Sequence, residues 1–377
     1  MKGPTRSLLI LLALLGAAGA VGGFLVAASG VVPLKASSGH WAITEWILQF
    51  GKRRSVATHT LGMAELRLDE PWLVLKGAGH YESGCRPCHG SPGVPTPEIA
   101  AAMLPLPPYL PPRVETWDPE ELFYIVKHGI KFTGMPAWQS QQRDDEVRAM
   151  VAFLLTLPYH TRASYERLVY GEAPAGPPVV ALEGVSDPEE PPDPVIASCA
   201  RCHGRDGLGR GNAAFPKLAG QRPEYLMRAL RGYASGDRHS GIMAPVASGL
   251  SPAQWRQLAD FYAGLDPGGP DGDGSETGRA AERGRLVAHE GLPTLGVPSC
   301  ADCHGPADHP RNPAYPSLAG QYADYLVLQL ELFRARERGG SEFSPLMHHV
   351  VDGLGPEQIR DVAAYYASLD PTGAPPP

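Results

Sequence analysis

The chain begins with an unbroken apolar segment, in which no charged residue lies between Arg6 and Lys35. A helix of this length can cross a bilayer. The length of this apolar segment indicates that residues 1–35 are an uncleaved membrane anchor, because the apolar core of a signal peptide usually spans only about 7–15 residues. The sequence Ala-Ala-Ser-Gly around Ala27 keeps cleavage open as the alternative.

A second apolar pattern follows in the predicted juxtamembrane segment, residues 36–70. Ile43, Trp46, Ile47 and Phe50 recur at the spacing of one helical face, and three basic residues at 52–54 come after them. This pattern predicts an amphipathic helix. Such a helix could lie in the membrane interface or pack on a neighbouring domain or partner subunit, and the pattern does not decide between them.

Helical periodicity continues through three modules, predicted at residues 71–170, 194–266 and 279–371. The second and third are repeats, since Phe215–Leu226 and Tyr315–Leu326 are identical at seven of twelve positions. The predicted helices are Pro71–Ser83, Pro119–His128 and Asp144–Leu157 in the first module, Trp255–Leu265 in the second and Gln358–Leu369 in the third. The prediction is an all-α chain with three tandem domains after an N-terminal transmembrane helix.

Composition marks the joints between the modules. Residues 171–193 are rich in proline and acidic residues, and residues 267–278 are rich in glycine and aspartate, so both are predicted linkers. The tail 372–377 is predicted to be disordered. The net charge of −7 gives no support for nucleic-acid binding.

Each module carries one Cys-x-x-Cys-His motif, and the three motifs use all six cysteines. They are Cys85–Cys88–His89, Cys199–Cys202–His203 and Cys300–Cys303–His304. This spacing is the attachment signature of c-type haem. A zinc site would need cysteine pairs to converge, and three pairs leave one over; a dithiol site needs no adjacent histidine. The sequence therefore predicts three covalent haem c groups, each with a histidine on its iron.

A methionine follows each motif at a comparable distance. Met135, Met243 and Met347 lie 46, 40 and 43 residues after the histidines of their modules. Methionine is a common second axial ligand in electron-carrying cytochromes, so these three are the predicted sixth ligands. At the third haem His348 and His349 stay open as alternatives, although the second module has alanine and proline at their positions.

Proline carbonyls are the predicted acceptors for the other nitrogen of each ligand histidine. Pro-x-Leu-x-Gly begins at Pro216 and Pro316 in the repeats. The nearest match in the first module begins at Pro108, where a plain turn is the alternative.

These motifs, in this order, resemble the class I cytochromes c. Residues 194–369 resemble the tandem dihaem cytochromes c4, and the first module is similar to monohaem cytochromes c of bacterial respiratory chains. The second module departs from the pattern because no clear helix is predicted before Cys199. Haem c is attached on the exporting side of bacterial membranes, so the resemblance implies a protein of the bacterial inner membrane with its haem domains in the periplasm.

The expected function is that of a membrane-anchored trihaem electron carrier, not an enzyme. Its donor would be a quinol-oxidising complex or a dehydrogenase, and its acceptor a terminal oxidase or soluble cytochrome. The alternative is the cytochrome subunit of a periplasmic dehydrogenase complex, similar to quinoprotein alcohol dehydrogenases. Catalysis at haem is disfavoured because every module offers a sixth ligand.

Overall fold

The computed structural model describes residues 3–171, 193–270, 277–306 and 309–371. Within these ranges the chain forms helices, loops and two isolated bridges, Ser91–Val94 and Leu292–Val297, so the all-α prediction is confirmed. Most of the two predicted linkers (172–192 and 271–276) and the predicted tail 372–377 lie outside the described residues.

The α-helices are numbered in chain order. They are α1 Gly3–Ala28, α2 Ala42–His59, α3 Leu73–Gly84, α4 Arg86–His89, α5 Glu98–Ala101, α6 Pro119–His128, α7 Asp144–Thr156, α8 Arg162–Tyr170, α9 Pro194–His203, α10 Pro223–Ser235, α11 Met243–Ser248, α12 Pro252–Ala263, α13 Thr277–Glu290, α14 Ala301–His304, α15 Ala323–Arg334, α16 Ser344–Asp352 and α17 Pro356–Ser368.

Helix α1 contains the apolar segment, and its stretch Ser7–Ala28 is long and apolar enough to cross a membrane. None of this stretch is buried against the rest of the chain. A signal sequence near the N-terminus has the same features, so the helix is compatible with both interpretations of residues 1–35.

Helix α2 extends beyond the predicted stripe and divides into two halves. Its second half packs on the first module: His59 stacks on Tyr124 with ring centroids 5.4 Å apart, and the Arg53 guanidinium lies 4.9 Å from the centre of the Trp117 ring. In its first half the apolar side chains are exposed, among them Trp46 and Phe50, which stack on each other. The docked half fixes where the exposed half projects from the first module.

In the first module the opening helix α3 crosses the closing helix α7 at a glycine. A Cβ atom on Gly77 would overlap the backbone carbonyl of Ala149 and the Cβ of Phe153. The close approach buries Tyr81 and Phe153 side by side in the core. Helices α3 and α7 therefore pack as one unit, and the haem motif lies between them in the sequence.

The third module repeats this arrangement with α13 against α17. A Cβ on Gly284 would overlap the carbonyl oxygen of Asp361, and the neighbouring Arg283 pairs with the Asp361 carboxylate at 2.6 Å. Val287, Ile359 and Tyr366 are buried at the same crossing. The two outer modules thus share the same pair of crossed helices.

The second module lacks such an opening helix, as the sequence indicated, although a helix does precede Cys199. Helix α9 begins at Pro194 and contains the motif itself, so only its first turn precedes the cysteine. The missing surface comes from the first module: Phe215 and Ala214 pack into a core with Trp72 and Leu73 of the α3 region and Ala149 of α7.

Candidate functional site

Each motif lies on a short turn of helix that ends at its histidine. In the outer modules Cys85 and Cys300 are the residues preceding α4 and α14, and in the second module the whole motif lies within α9. Residues three and four apart in a helix share a face, so both thiols and the imidazole of each motif project toward the same side. This is the disposition that two thioether bonds and one axial bond to a single haem require.

The three histidines are oriented in the same way by a proline carbonyl. The Nδ1 atoms of His89, His203 and His304 lie 2.8, 3.2 and 3.0 Å from the carbonyl oxygens of Pro108, Pro216 and Pro316. With Nδ1–H donating there, Nε2 is the nitrogen left for iron. Burial lowers the pKa of each imidazole, which favours the neutral form that a metal ligand needs.

Burial disfavours the thiolate form of the first cysteine in the first and third motifs. None of the six cysteines forms a disulfide. Burial raises the pKa of Cys85 to about 12 and that of Cys300 to about 11, so neither is a thiolate near neutral pH. Across the described ranges, no three His, Cys, Asp or Glu side chains lie close enough together to hold a metal ion.

The predicted methionine ligands lie in three different local settings. Met135 is half-buried in a loop, where its N–H donates to Thr133 Oγ1 at 3.1 Å. Met243 is the first residue of α11, and Met347 lies one turn inside α16. Both short helices directly precede the closing helices, in the order that the repeat predicts. Sequence spacing alone had not indicated that the last two methionines are helical.

The histidine that competes with Met347 is already engaged. His348 Nε2 lies 2.9 Å from the carbonyl oxygen of Arg338, and its ring packs edge-on against Phe333. Ligation of iron by His348 Nε2 would require that hydrogen bond to break. His349 is left as the freer alternative at the third module.

Two glutamines join the second and third modules in a reciprocal arrangement that sequence reasoning missed. Gln321 binds the backbone of Lys217, accepting from its N–H at 3.1 Å and donating to its carbonyl at 3.0 Å. Gln221 does the same to Ser317, at 2.8 and 3.0 Å. Lys217 and Ser317 directly follow the prolines that orient the histidines, so each module braces the other's histidine acceptor.

Two arginines, Arg238 buried and Arg338 half-buried, face each other across the same interface. Arg238 and Arg338 follow the motif histidines by 35 and 34 residues, and both point a guanidinium nitrogen at the Tyr225 hydroxyl, at 3.4 and 3.3 Å. Burial opposes ionisation of Tyr225, but the two guanidiniums lower its pKa to about 8. Guanidinium groups bind carboxylates, so both arginines have the chemistry to pair with the propionates of a bound haem.

Two known protein families match separate parts of the chain. The family "Cytochrome C oxidase, cbb3-type, subunit III" matches residues 73–154, and the family "Cytochrome c" matches residues 282–370. These ranges contain the first and third motifs.

Relatives with established names are similar over about half of the chain. A thiosulfate dehydrogenase electron acceptor of Thiomonas intermedia is 37% identical over 181 residues, which is 48% of this chain and 82% of that protein. A cytochrome c4 of Thiocapsa roseopersicina is 32% identical over 191 residues, 50% of this chain and 96% of that protein. The reduced recombinant cytochrome c4 of Pseudomonas stutzeri is similar in structure, with a TM-score of 0.42, 28% identity, and coverage of 46% of this chain and 94% of that one.

Proposed function

Because the chain belongs to the class I cytochrome c family and is related to the cytochromes c4, we propose that it is a membrane-anchored carrier with three haem c groups. It is an electron carrier and not a catalytic enzyme in its own right. Bound haem supplies one-electron oxidation and reduction of iron, and the protein sets the potential through the axial ligands, burial and hydrogen bonding.

The observation that carries the proposed count of three is the recurrence of one geometry in all three modules. Each motif has two thiols, an imidazole on the same helical turn, and a proline carbonyl at Nδ1. The proposed ligand pairs are His89 with Met135, His203 with Met243, and His304 with Met347. A pyridine haemochrome assay scaled to protein should give three haems per chain, and a value of two would refute the count.

Membrane attachment is proposed from α1 and from the exposed half of α2. Trp46 and Phe50 are exposed on α2, and Trp41 is exposed directly before it; the basic residues 52–54 follow. Aromatic side chains with flanking basic residues favour a membrane interface, and α1 would place this half of α2 at the surface of the same bilayer. The haem modules would lie on the periplasmic side of the bacterial inner membrane.

The proposed direction of transfer is toward a terminal oxidase or a similar acceptor. Support comes from the first module, whose match is to a subunit of a cytochrome oxidase. Its donor would be a quinol-oxidising complex or a dehydrogenase.

A second candidate is the cytochrome subunit of a periplasmic dehydrogenase complex. It is favoured by the relatives named as thiosulfate dehydrogenase electron acceptors. Purification from native membranes separates the two, because a dehydrogenase subunit should remain bound to a large catalytic protein. Anaerobic mixing then identifies the donor. The oxidised protein is mixed either with thiosulfate dehydrogenase and thiosulfate or with a quinoprotein dehydrogenase and alcohol. Only the true donor should reduce the haems rapidly.

A further inference from the structure

The closing helix of the first module buries a carboxylate at its boundary with the second module. Glu146 is 2% exposed. One of its oxygens accepts from Gly241 N at 2.6 Å and Trp138 Nε1 at 3.1 Å. The other accepts from Ser240 Oγ at 2.5 Å and forms an ion pair with Arg143 Nη2 at 3.2 Å. Burying a carboxylate is costly unless its oxygens are bound, and here both are doubly bound.

The segment that Glu146 holds leads directly into Met243. While donating to Glu146, the Ser240 hydroxyl accepts from the N–H groups of Met243, at 2.9 Å, and of the preceding residue, at 3.2 Å. The hydroxyl therefore caps the start of α11. Arg143 adds a second contact by donating from Nη1 to the His239 carbonyl at 2.7 Å.

The same contact joins the methionine segments of two modules. A Cβ on Gly241 would overlap the indole of Trp138, which lies three residues after Met135. The Trp138 N–H also binds Glu146. The Met135 loop of the first module and the Met243 segment of the second thus meet at one carboxylate.

We propose that Glu146 is a positioning residue for the second haem. Acting through Ser240, it holds the Met243 segment from the first module, so that sixth ligation in the second module depends on the docked first module. The inference rests on the proposed function, in which Met243 is an iron ligand.

The third module offers an internal control. Ser344 precedes Met347 by three residues, as Ser240 precedes Met243. Among the described residues, however, its hydroxyl binds only the N–H and hydroxyl of Ser341, and no carboxylate of another module reaches it. The third haem should therefore be independent of Glu146.

The decisive variant is Glu146→Gln in the full-length holoprotein. An amide has one acceptor oxygen where the carboxylate has two, so two of the four donors lose their partner. We expect loss of up to about a third of the weak red charge-transfer band of ferric, methionine-ligated haem, because one haem of three is affected. One potential should fall and the ferrous form of one haem should bind carbon monoxide, with the other two haems unchanged.

Asp361→Asn is the matched control, since it removes an equally buried carboxylate from the closing helix α17, away from any methionine segment. It should leave the band and all three potentials unchanged. If Glu146→Gln does not accumulate as holoprotein, Ser240→Ala decides, with Ser344→Ala as its counterpart in the third module. The proposal is supported if the charge-transfer band is weaker in Ser240→Ala and unchanged in Asp361→Asn.

Met243→Ala separates failure of this inference from failure of the proposed ligation. If Met243→Ala leaves the band intact, Met243 is not a ligand and the proposed ligation is wrong. If Met243→Ala removes about a third of the band while Glu146→Gln and Ser240→Ala remove none, the ligation stands and the positioning role is overturned.

Discussion

Replacing Gln321 by alanine should change the haem of the neighbouring module and not that of its own. Gln321 belongs to the third module, but it holds both backbone groups of Lys217 in the second. The residue before Lys217 is Pro216, whose carbonyl orients His203. Loss of the glutamine side chain should loosen this stretch and lengthen the hydrogen bond from His203.

The magnitude follows from two hydrogen bonds in a half-buried setting. Each contributes about 0.5–1.5 kcal/mol, so docking of the two modules should weaken by roughly 1–3 kcal/mol. A weaker bond at Nδ1 makes the imidazole less basic and favours ferrous iron. If about 0.5 kcal/mol of the lost hydrogen-bond energy shifts the equilibrium toward ferrous iron, the potential of the second haem should rise by roughly 20 mV.

Potentiometric titration, with each haem assigned by its methionine variant, measures the shift, and hydrogen exchange at the interface measures the docking. Gln221→Ala is the mirror control, because Gln221 holds Ser317 next to Pro316. It should move the third haem instead of the second. A Gln321→Ala shift confined to the third haem would refute the crossed bracing.

Three further predictions test the fold and the membrane segment. Gly284→Ala should lower the free energy of unfolding of the holoprotein by about 1–3 kcal/mol, because the new methyl group overlaps the Asp361 carbonyl. Gly278→Ala in the same helix places its methyl group in open space and should cause no such loss. Burial would raise the pKa of Asp145, but Lys76 and Arg143 hold that pKa well below its usual range. The ionised carboxylate therefore stabilises the fold above about pH 4, and this stabilisation is lost on acidification. Asp145→Asn should make the free energy of unfolding depend less on pH in the acid range. The mature chain should sediment with membranes and begin before Ser7, and an N-terminus near Ser29 with release into the soluble fraction would instead establish cleavage.

Five helices of the modules, α3, α6, α7, α12 and α17, could be predicted from the sequence because their local signals are strong. Helix α6 has the predicted bounds, since Asp118 and Glu121 form a capping box at its start and Gly129 ends it. Helix α2 was predicted only over its apolar stripe. Its second half lacks a regular stripe and is held by ring contacts with the first module, which are not visible in a local pattern.

The contacts between modules could not be predicted, although their residues were in view. Gln221 and Gln321 stand out as identities of the repeat, but an identity does not reveal which backbone a side chain binds. Glu146 follows two aspartates at the start of α7, where acidic residues are expected from the helix dipole alone. That ordinary explanation accounts for all three acidic residues, so it does not reveal that Glu146 is the one of the three that reaches the second module.

The second module depends on its neighbours at every level of its structure. It has no opening helix of its own, and Phe215 packs instead on the first module. Its histidine acceptor is braced by Gln321 from the third module, and its methionine segment by Glu146 from the first. The proposed carrier with three haems would need the middle haem at a fixed distance from both others. Building the middle module from its neighbours' surfaces ties its ligand geometry to the same contacts that set those distances.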